Sequence, residues 1–338
     1  MTNLFKKVAV CTDLHVGLKS NSLQHNTDCE EFIDWFISKA KAEGCETCIF
    51  LGDWHHHRAS INMHSLSFSI RLIEKLSNSF DRVLMIPGNH DLYYRDRRDI
   101  NSVEWAKHLS NVTIVNDWFQ ENDVIISPWL VGEDYKALGK MKGKYLFGHL
   151  ELPHFAMNAM VDMPDHGEIN ETHVSGFEKV FSGHFHKRQA RKNIWYVGNA
   201  FPHNYSDAGE DARGMMILEW GQEPEFHTWP GQPVFRVYKL SDVLENPKGL
   251  LLPKSCVRVH LDIDISYEEA TYIRETLIPE HNLREMSLIP IKTSEHANDL
   301  VPGEINFESV DQIIVDQLTK IESEFYDPKL LLEIYHNL

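Results

Sequence analysis

The chain has 338 residues, 42% of them hydrophobic and 25% charged, the proportions of a soluble globular protein with room for one large domain and a smaller one. It holds no apolar run long enough to span a bilayer. Its first apolar run is too short for a signal-peptide core, so a cytoplasmic protein is expected. The formal charge of −17 argues against nucleic acid as a partner, but His260 to Leu338 holds 17 acidic and 5 basic side chains, a net of −12, leaving only −5 on the other 259 residues.

Along the first two-thirds, "KVAVCTD" (7–13), "TCIFLGD" (47–53) and "RVLMIPGNHD" (82–91) each read as a buried strand running into a polar loop. Residues 28–44 and 62–79 between them read as helices, the first stopped by Gly44. Strand–helix–strand alternation of this kind predicts an α/β fold. Cys45 and Cys48 form a lone C-x-x-C with no second pair to complete a zinc site, and the five cysteines are expected to be reduced. "NVTIV", "DVIIS", "KYLFGH", "KVFSGHFH", "NIWYVG" and "GMMILEW" follow as closely spaced strands, so a second layer of sheet is expected.

A boundary is expected around 240–255. Beyond it Val257, Val259, Leu261, Ile263 and Ile265 alternate as one face of a half-buried strand. Ser266 and Glu269 form a capping box at the head of a helix, and "REMSLIPIK" reads as a second strand. The last stretch reads as two helices broken before Pro328.

Five loops end in potential metal ligands: "TDLH" (12–15), "GDWH" (52–55), "GNHD" (88–91), "FGHLE" (147–151) and "SGHFH" (182–186). Each follows an apolar strand, and ligand sites in α/β sheets collect at the carboxyl ends of strands. Asp13 and His15 are two apart, as are His184 and His186, so on extended backbone each pair projects to one side. Mixed imidazole and carboxylate donors suit Mn, Fe or Zn.

In this order the motifs resemble those of the calcineurin-like metallophosphoesterases, D-x-H, G-D, G-N-H-[DE], H and G-H-x-H. The resemblance implies a two-layered β-sandwich flanked by helices and a binuclear centre. One ion would be held by Asp13, His15, Asp53 and His186, the other by Asp53, Asn89, His149 and His184. Two divalent ions bring +4 against −2 from the two aspartates, so a phosphate diester is attracted even by an acidic protein. A water whose pKa the ions lower would be the nucleophile. His90 would stabilise the phosphate or protonate the leaving oxygen, with Asp91 holding its other ring nitrogen. Of the triplet His55, His56 and His57, none is needed as a ligand. They are expected to touch substrate, to support the ligands, or to lie on a solvated loop.

"GDWHHHR" departs from the G-D-x-x-D-R-G of protein phosphatases. The chain more closely resembles the SbcD-type DNA-repair exonuclease subunits, particularly phage-encoded ones. "TDLHVG", the "ELPHF" loop, and Tyr196, Gly198, Gly209 and Glu210 of "WYVGNAFPHNYSDAGEDARG" carry the likeness, which spans residues 8–220. His55-His56 stands where that family has Phe-Asp. The resemblance implies a nuclease domain over 1–240, a small α+β capping module over 255–293 and C-terminal partner-binding helices over 307–338. It implies a Mn2+-dependent enzyme, exonucleolytic on duplex DNA and endonucleolytic on single strands, working as a homodimer with an SbcC-type coiled-coil ATPase and no membrane. Arg95, Arg97 and Arg98, and Lys187, Arg188, Arg191 and Lys192, are candidate contacts to the DNA backbone. Two alternatives are a phosphodiesterase of small or cyclic diesters, which needs no capping module, and a non-enzymatic assembly subunit, which needs no complete ligand set.

Overall fold

The computed structural model describes residues 3–157 and 161–290. They fall into two compact units, one of residues up to 237 together with 254–256, the other of 238–253 and those from 257 onward. The helices expected over 307–338, and the last residues of the module expected to reach 293, lie outside the described residues. Among the described residues no helix is long and apolar enough to cross a membrane.

In the first unit β1 (Lys7–Cys11), β2 (Thr47–Phe50), β3 (Arg82–Met85) and β4 (Val112–Ile114) lie side by side and parallel. A second sheet follows, made of β5 (Phe119–Glu121), β6 (Val124–Ile126), β7 (Gly143–His149), β8 (Phe177–Gly183), β9 (Gln189–Arg191) and β10 (Ile194–Tyr196). Its order is β5-β6-β7-β8-β10-β9, with β6, β7, β8 and β10 parallel and the edge strands antiparallel. The chain then returns to the first sheet with β11 (Gly214–Glu219), antiparallel to β1, and β12 (Glu225–Thr228). The unit is thus an α/β fold of two stacked sheets flanked by helices.

Side-chain alternation along each strand explains the stacking. Val8, Val10, Ile49, Leu51 and Leu84 from the first sheet pack with Val124, Ile126, Tyr145, Phe147 and Phe181 from the second, forming a layer between them. Ala9, Cys11, Cys48, Phe50, Val83 and Met85 point the other way, onto Phe32, Ile33, Phe36, Leu72, Ile73 and Leu76 of two helices. Those helices are Leu23–Ala42, capped by Ser22, and Met63–Ser79, capped by Asn62. Gly44 follows the first at φ 75°, in the left-handed region that lets a helix end. All five cysteines are buried and none is in a disulfide.

A three-stranded sheet is made of β13 (Val234–Lys239), β14 (Ser255–Leu261) and β15 (Glu285–Pro290). The helix Tyr267–Glu280 starts at a capping box of Ser266 and Glu269. The alternation expected through Ile265 ends with the strand at Leu261, and Ile263 is exposed. Asp262, just after the strand, instead accepts hydrogen bonds from the backbone N–H and hydroxyl of Ser241.

Candidate metal centre

The parallel strands β1, β2 and β3 deliver their following loops to one edge of the first sheet, and β7 and β8 do the same for the second. The two edges touch. The His149 Nδ1–H donates to the Leu51 carbonyl at 2.6 Å, and the His184 N–H donates to Asp13 Oδ2 at 3.1 Å. Two glycines make this approach possible. A Cβ on Gly52 would lie 2.3 Å from His149 Nδ1, and one on Gly183 would lie 2.1 Å from Thr12 Oγ1 and 2.7 Å from the Leu51 carbonyl.

The expectation of extended backbone at Asp13 and His15 is corrected. Both sit at φ 52°, with Asp53 at φ 58° and His184 at φ 86°. Left-handed backbone at non-glycine residues is uncommon and collects at functional sites. Here hydrogen bonds hold it in place: Asp13 N–H donates to the Gly52 carbonyl and His15 N–H to the Asp53 carbonyl.

Asp53 stands between two sets of donors. Its Oδ2 is 3.6 Å from His15 Nε2 and 3.5 Å from His149 Nε2, while its Oδ1 accepts the His90 N–H at 2.8 Å. On one side, Asp13, His15 and Asp53 offer ligand atoms within 4.8 Å of one another, and so do His15, His186 and His203. On the other side, Asp53, His149 and His184 do the same. Asn89 Oδ1 joins this second set, 3.1 Å from both His149 Nε2 and His184 Nδ1. Asp13 Oδ1 and His15 Nε2 are buried with no hydrogen-bond partner. Buried polar atoms are rarely left unpaired. Unpaired donor atoms facing a shared bridging carboxylate fit divalent cations held by oxygen and imidazole.

The electrostatics agree. Burial opposes the charge on Asp53, but His149, His15 and His90 outweigh it and hold the carboxyl far below its usual range. Burial alone would depress the His149 imidazole, yet Asp53 and Asp13 carry its pKa up to about 9. A metal takes only the neutral ring, so loading this position must expel a proton. Affinity for Mn2+ is therefore expected to rise about tenfold per pH unit from neutrality to about pH 9 and to level off above it. Titration with Mn2+ across that window checks this, and a flat affinity would contradict it.

Asp91 does not hold His90, contrary to expectation. Its carboxylate faces away and accepts from Gly88 N, Trp54 N, His55 N and Ser102 Oγ. Burial, and then the nearby charge of Asp53, push its pKa up to about 6 against those donors. His90 Nδ1 donates instead to the His56 carbonyl at 2.7 Å, which leaves Nε2 for other work.

The histidine triplet has three different fates. His55 is buried, and its Nδ1 lies 2.8 Å from Ser102 Oγ. That hydroxyl donates to Asp91, so His55 stiffens the support beneath the ligand loops. Burial depresses its pKa to about 3. His56 stacks on His90 at 5.3 Å and reaches His15 Nδ1 at 3.4 Å. His57 is exposed.

Several residues with no supporting role in the sequence reading have one in the fold. Glu151 Oε1 lies 3.5 Å from His184 Nε2, which leaves His184 Nδ1 facing Asn89. The Tyr196 hydroxyl pins the loop carrying Glu151, donating to the Leu150 carbonyl and accepting from Leu152 N. Trp129 lies 5.6 Å from the His149 ring and 5.4 Å from the His184 ring. His203, buried beside His15 and His186, lies inside a stretch whose glycines, tyrosine and glutamate drew attention but whose histidine did not.

The basic residues are mostly engaged. Arg98 is tied to Asp134 and to the carbonyls of Asn116 and Trp129. Arg97 pairs with Asp99, Lys187 with Glu210, and Arg191 and Lys192 both with Glu171. Arg188 donates to the Val197 carbonyl and lies over the Phe226 ring. Arg95 is exposed.

A family model described as calcineurin-like phosphoesterase matches residues 6–200. A protein of Enterobacteria phage T4 named exonuclease subunit 1 is 25% identical over 237 residues, 66% of this chain and 69% of that one. A solved structure of the Pseudomonas putida nuclease MPE is 15% identical, with a TM-score of 0.32, over 62% of this chain and 82% of that one.

Proposed function

The chain belongs to the calcineurin-like phosphoesterase family, and from that premise we propose that it is the nuclease subunit of an SbcC–SbcD-like ATPase–nuclease complex that processes DNA ends. It is a Mn2+-dependent phosphodiesterase, exonucleolytic on duplex DNA and endonucleolytic on single strands. The observation that carries the reading is Asp53 standing between two donor sets, 3.6 Å from His15 and 3.5 Å from His149. The likeness to the phage T4 protein named exonuclease subunit 1 supports DNA as the substrate.

Asp13, His15, Asp53 and His186 would hold one divalent ion, and Asp53, Asn89, His149 and His184 the other. Such a pair supplies a nucleophile at neutral pH and neutralises charge on a phosphate diester. Asn89 holds its oxygen between two imidazoles, so it orients both. The His90 ring, fixed through Nδ1 on the His56 carbonyl, turns Nε2 toward the reacting phosphate. With Nδ1–H on the His56 carbonyl, the ring donates from Nε2 only as the imidazolium, which would give a hydrogen bond to a phosphoryl oxygen or its Nε2 proton to the leaving oxygen and return to the neutral ring. Asp91 is a positioning residue, because it binds the backbone of both ligand loops. A DNA backbone reaching Arg97, Lys187 or Arg191 exchanges their carboxylate partners for phosphates, while Arg95 is exposed. Docking of the ATPase is assigned to 307–338, which lies outside the described residues.

A nuclease assay with Mn2+ against Mg2+, on linear duplex, hairpin and single-stranded DNA, tests the reading, with bis(p-nitrophenyl) phosphate as the control diester. Hydrolysis of the small diester with no cleavage of any DNA would replace it with a small-molecule phosphodiesterase. His90→Ala is expected to keep full metal content and to lose about 10²–10⁴ in turnover on DNA. If that variant lost an equivalent of metal, His90 would be a ligand and its role would need reassignment.

A further inference from the structure

We propose that His203 is a fifth protein ligand to the ion assigned to Asp13, His15, Asp53 and His186, which makes that position a three-imidazole site. The proposal rests on the binuclear reading above and deepens it.

His15, His186 and His203 each offer a ring nitrogen, and the three nitrogens lie within 4.8 Å of one another. Donors around one ion sit about 2.1 Å from it, so opposite ligands are about 4.2 Å apart. Three donors cannot all be opposite one another; at 4.8 Å apart each lies about 2.8 Å from their common centre, so an inward shift of up to about 0.7 Å per donor brings the trio onto one ion. His203 is 2% exposed, and its Nε2 is buried with no hydrogen-bond partner. The His15 Nε2 beside it is in the same condition. A buried, unpaired Nε2 alone does not mark a ligand, since His55 Nε2 is in that condition while its Nδ1 lies against Ser102 Oγ. His203 differs in that its ring nitrogen lies within reach of those of His15 and His186. Rings crowd His203: His15 at 5.4 Å, His186 at 5.2 Å, His25 at 5.4 Å and Phe201 at 5.2 Å.

The loop is built to hold this ring still. His203 N–H donates to Asp207 Oδ2 at 2.8 Å, and Asp207 Oδ1 accepts from the buried Arg213 guanidinium at 3.4 Å. Asn204 caps the following turn through Ser206 N at 2.8 Å. A ligand carried on a preorganised loop loses little freedom when an ion arrives.

The chemistry has a direction. With His203 this position offers three imidazoles and two carboxylates. The other offers two imidazoles, one carboxylate and the Asn89 amide oxygen. Imidazole suits Zn, Fe and Ni, whereas oxygen donors suit Mn and Mg. The two positions therefore differ in preference, and His203 biases its own toward the later metals.

The test uses metal-stripped full-length protein titrated separately with Co2+, Zn2+ and Mn2+, with equivalents and affinities read by calorimetry. Co2+ absorption and paramagnetically shifted imidazole N–H signals report coordination. Wild type is expected to bind two equivalents and to show signals from five rings: His15, His149, His184, His186 and His203. His203→Ala and His203→Gln are expected to keep one equivalent at wild-type affinity. They should weaken the other by at least the roughly 10- to 100-fold that losing a supporting partner costs, more for Zn2+ and Co2+ than for Mn2+. His186→Ala serves as the reference. If His186→Ala loses an ion while His203→Gln keeps both affinities and the Co2+ spectrum, His203 is no ligand and the proposal alone falls. If neither variant changes metal binding, the binuclear reading falls with it. Should the variants fail to fold, four shifted rings in Co2+-loaded wild type overturn the proposal by themselves.

Discussion

Asp53→Ala is expected to abolish phosphodiester hydrolysis and to take metal content from two equivalents to fewer than one. No other described residue approaches both donor sets so closely. Its carboxylate is 3.6 Å from His15 and 3.5 Å from His149, with its other oxygen held by the His90 N–H. Alanine removes the shared anion, so each remaining set must gather a cation with one charge fewer. The His90 N–H also loses its acceptor, which loosens the residue assigned to the leaving group. Asp53→Asn separates shape from charge. It keeps an oxygen for His90 N–H yet is expected to lose metal nearly as completely, because the amide is neutral. Elemental analysis of both variants after dialysis decides the matter. Two equivalents retained in Asp53→Ala would remove this residue from the centre.

The second large effect is expected at a residue that touches no ion. Asp91→Asn should destabilise the fold and disorder both ligand loops together. The carboxylate accepts from Gly88 N at 2.9 Å and Trp54 N at 3.0 Å on one oxygen. On the other it accepts from His55 N at 2.8 Å and Ser102 Oγ at 3.0 Å. An amide turns one acceptor into a donor that points at two donors. Ser102 can rotate its hydroxyl away, but the backbone N–H groups cannot. With its NH2 turned toward His55 N and Ser102, the amide leaves one buried backbone N–H unpaired, so a loss of about 1–3 kcal/mol is expected. That is a substantial part of a stability of typically about 5–15 kcal/mol. Urea denaturation of the metal-stripped protein measures it without help from ions. An unchanged midpoint would mean that the two loops are held by something other than Asp91.

The strand ends were legible because an apolar run that stops at Gly-Asp or Gly-Asn-His is a local signal, and five of them in order are hard to produce otherwise. The capping box of Ser266 and Glu269 was legible for the same reason, as its partners are three residues apart. The left-handed backbone at Asp13 and His15 was not, because it is set by the neighbouring loop, through the Gly52 and Asp53 carbonyls. The direction Asp91 faces was invisible too, since its partners come from three separate segments. The fate of the basic residues depends on Glu171, Glu210 and Asp134, none adjacent in sequence to the cations they neutralise. Strands β5, β9 and β12, three or four residues long, are too short for alternation to register. His203 lies within "WYVGNAFPHNYSDAGEDARG", but nothing local in that stretch marks a histidine as a ligand, and only its proximity to His15 and His186 in the fold draws it into the site.

The donor groups are divided between the sheets: Asp13, His15, Asp53 and Asn89 follow strands of the first, while His149, His184 and His186 belong to the second. Neither sheet alone can bind an ion with the whole set. A cation seated there acts as a clasp, and its binding free energy counts toward keeping the sheets stacked. With free metal at a hundred times its dissociation constant, each ion adds about 2.7 kcal/mol to resistance against unfolding. On the two-ion reading, the resistance of this protein to unfolding is expected to depend on the metal supply around it. Chelation is then expected to remove the chemistry and this share of the stability together.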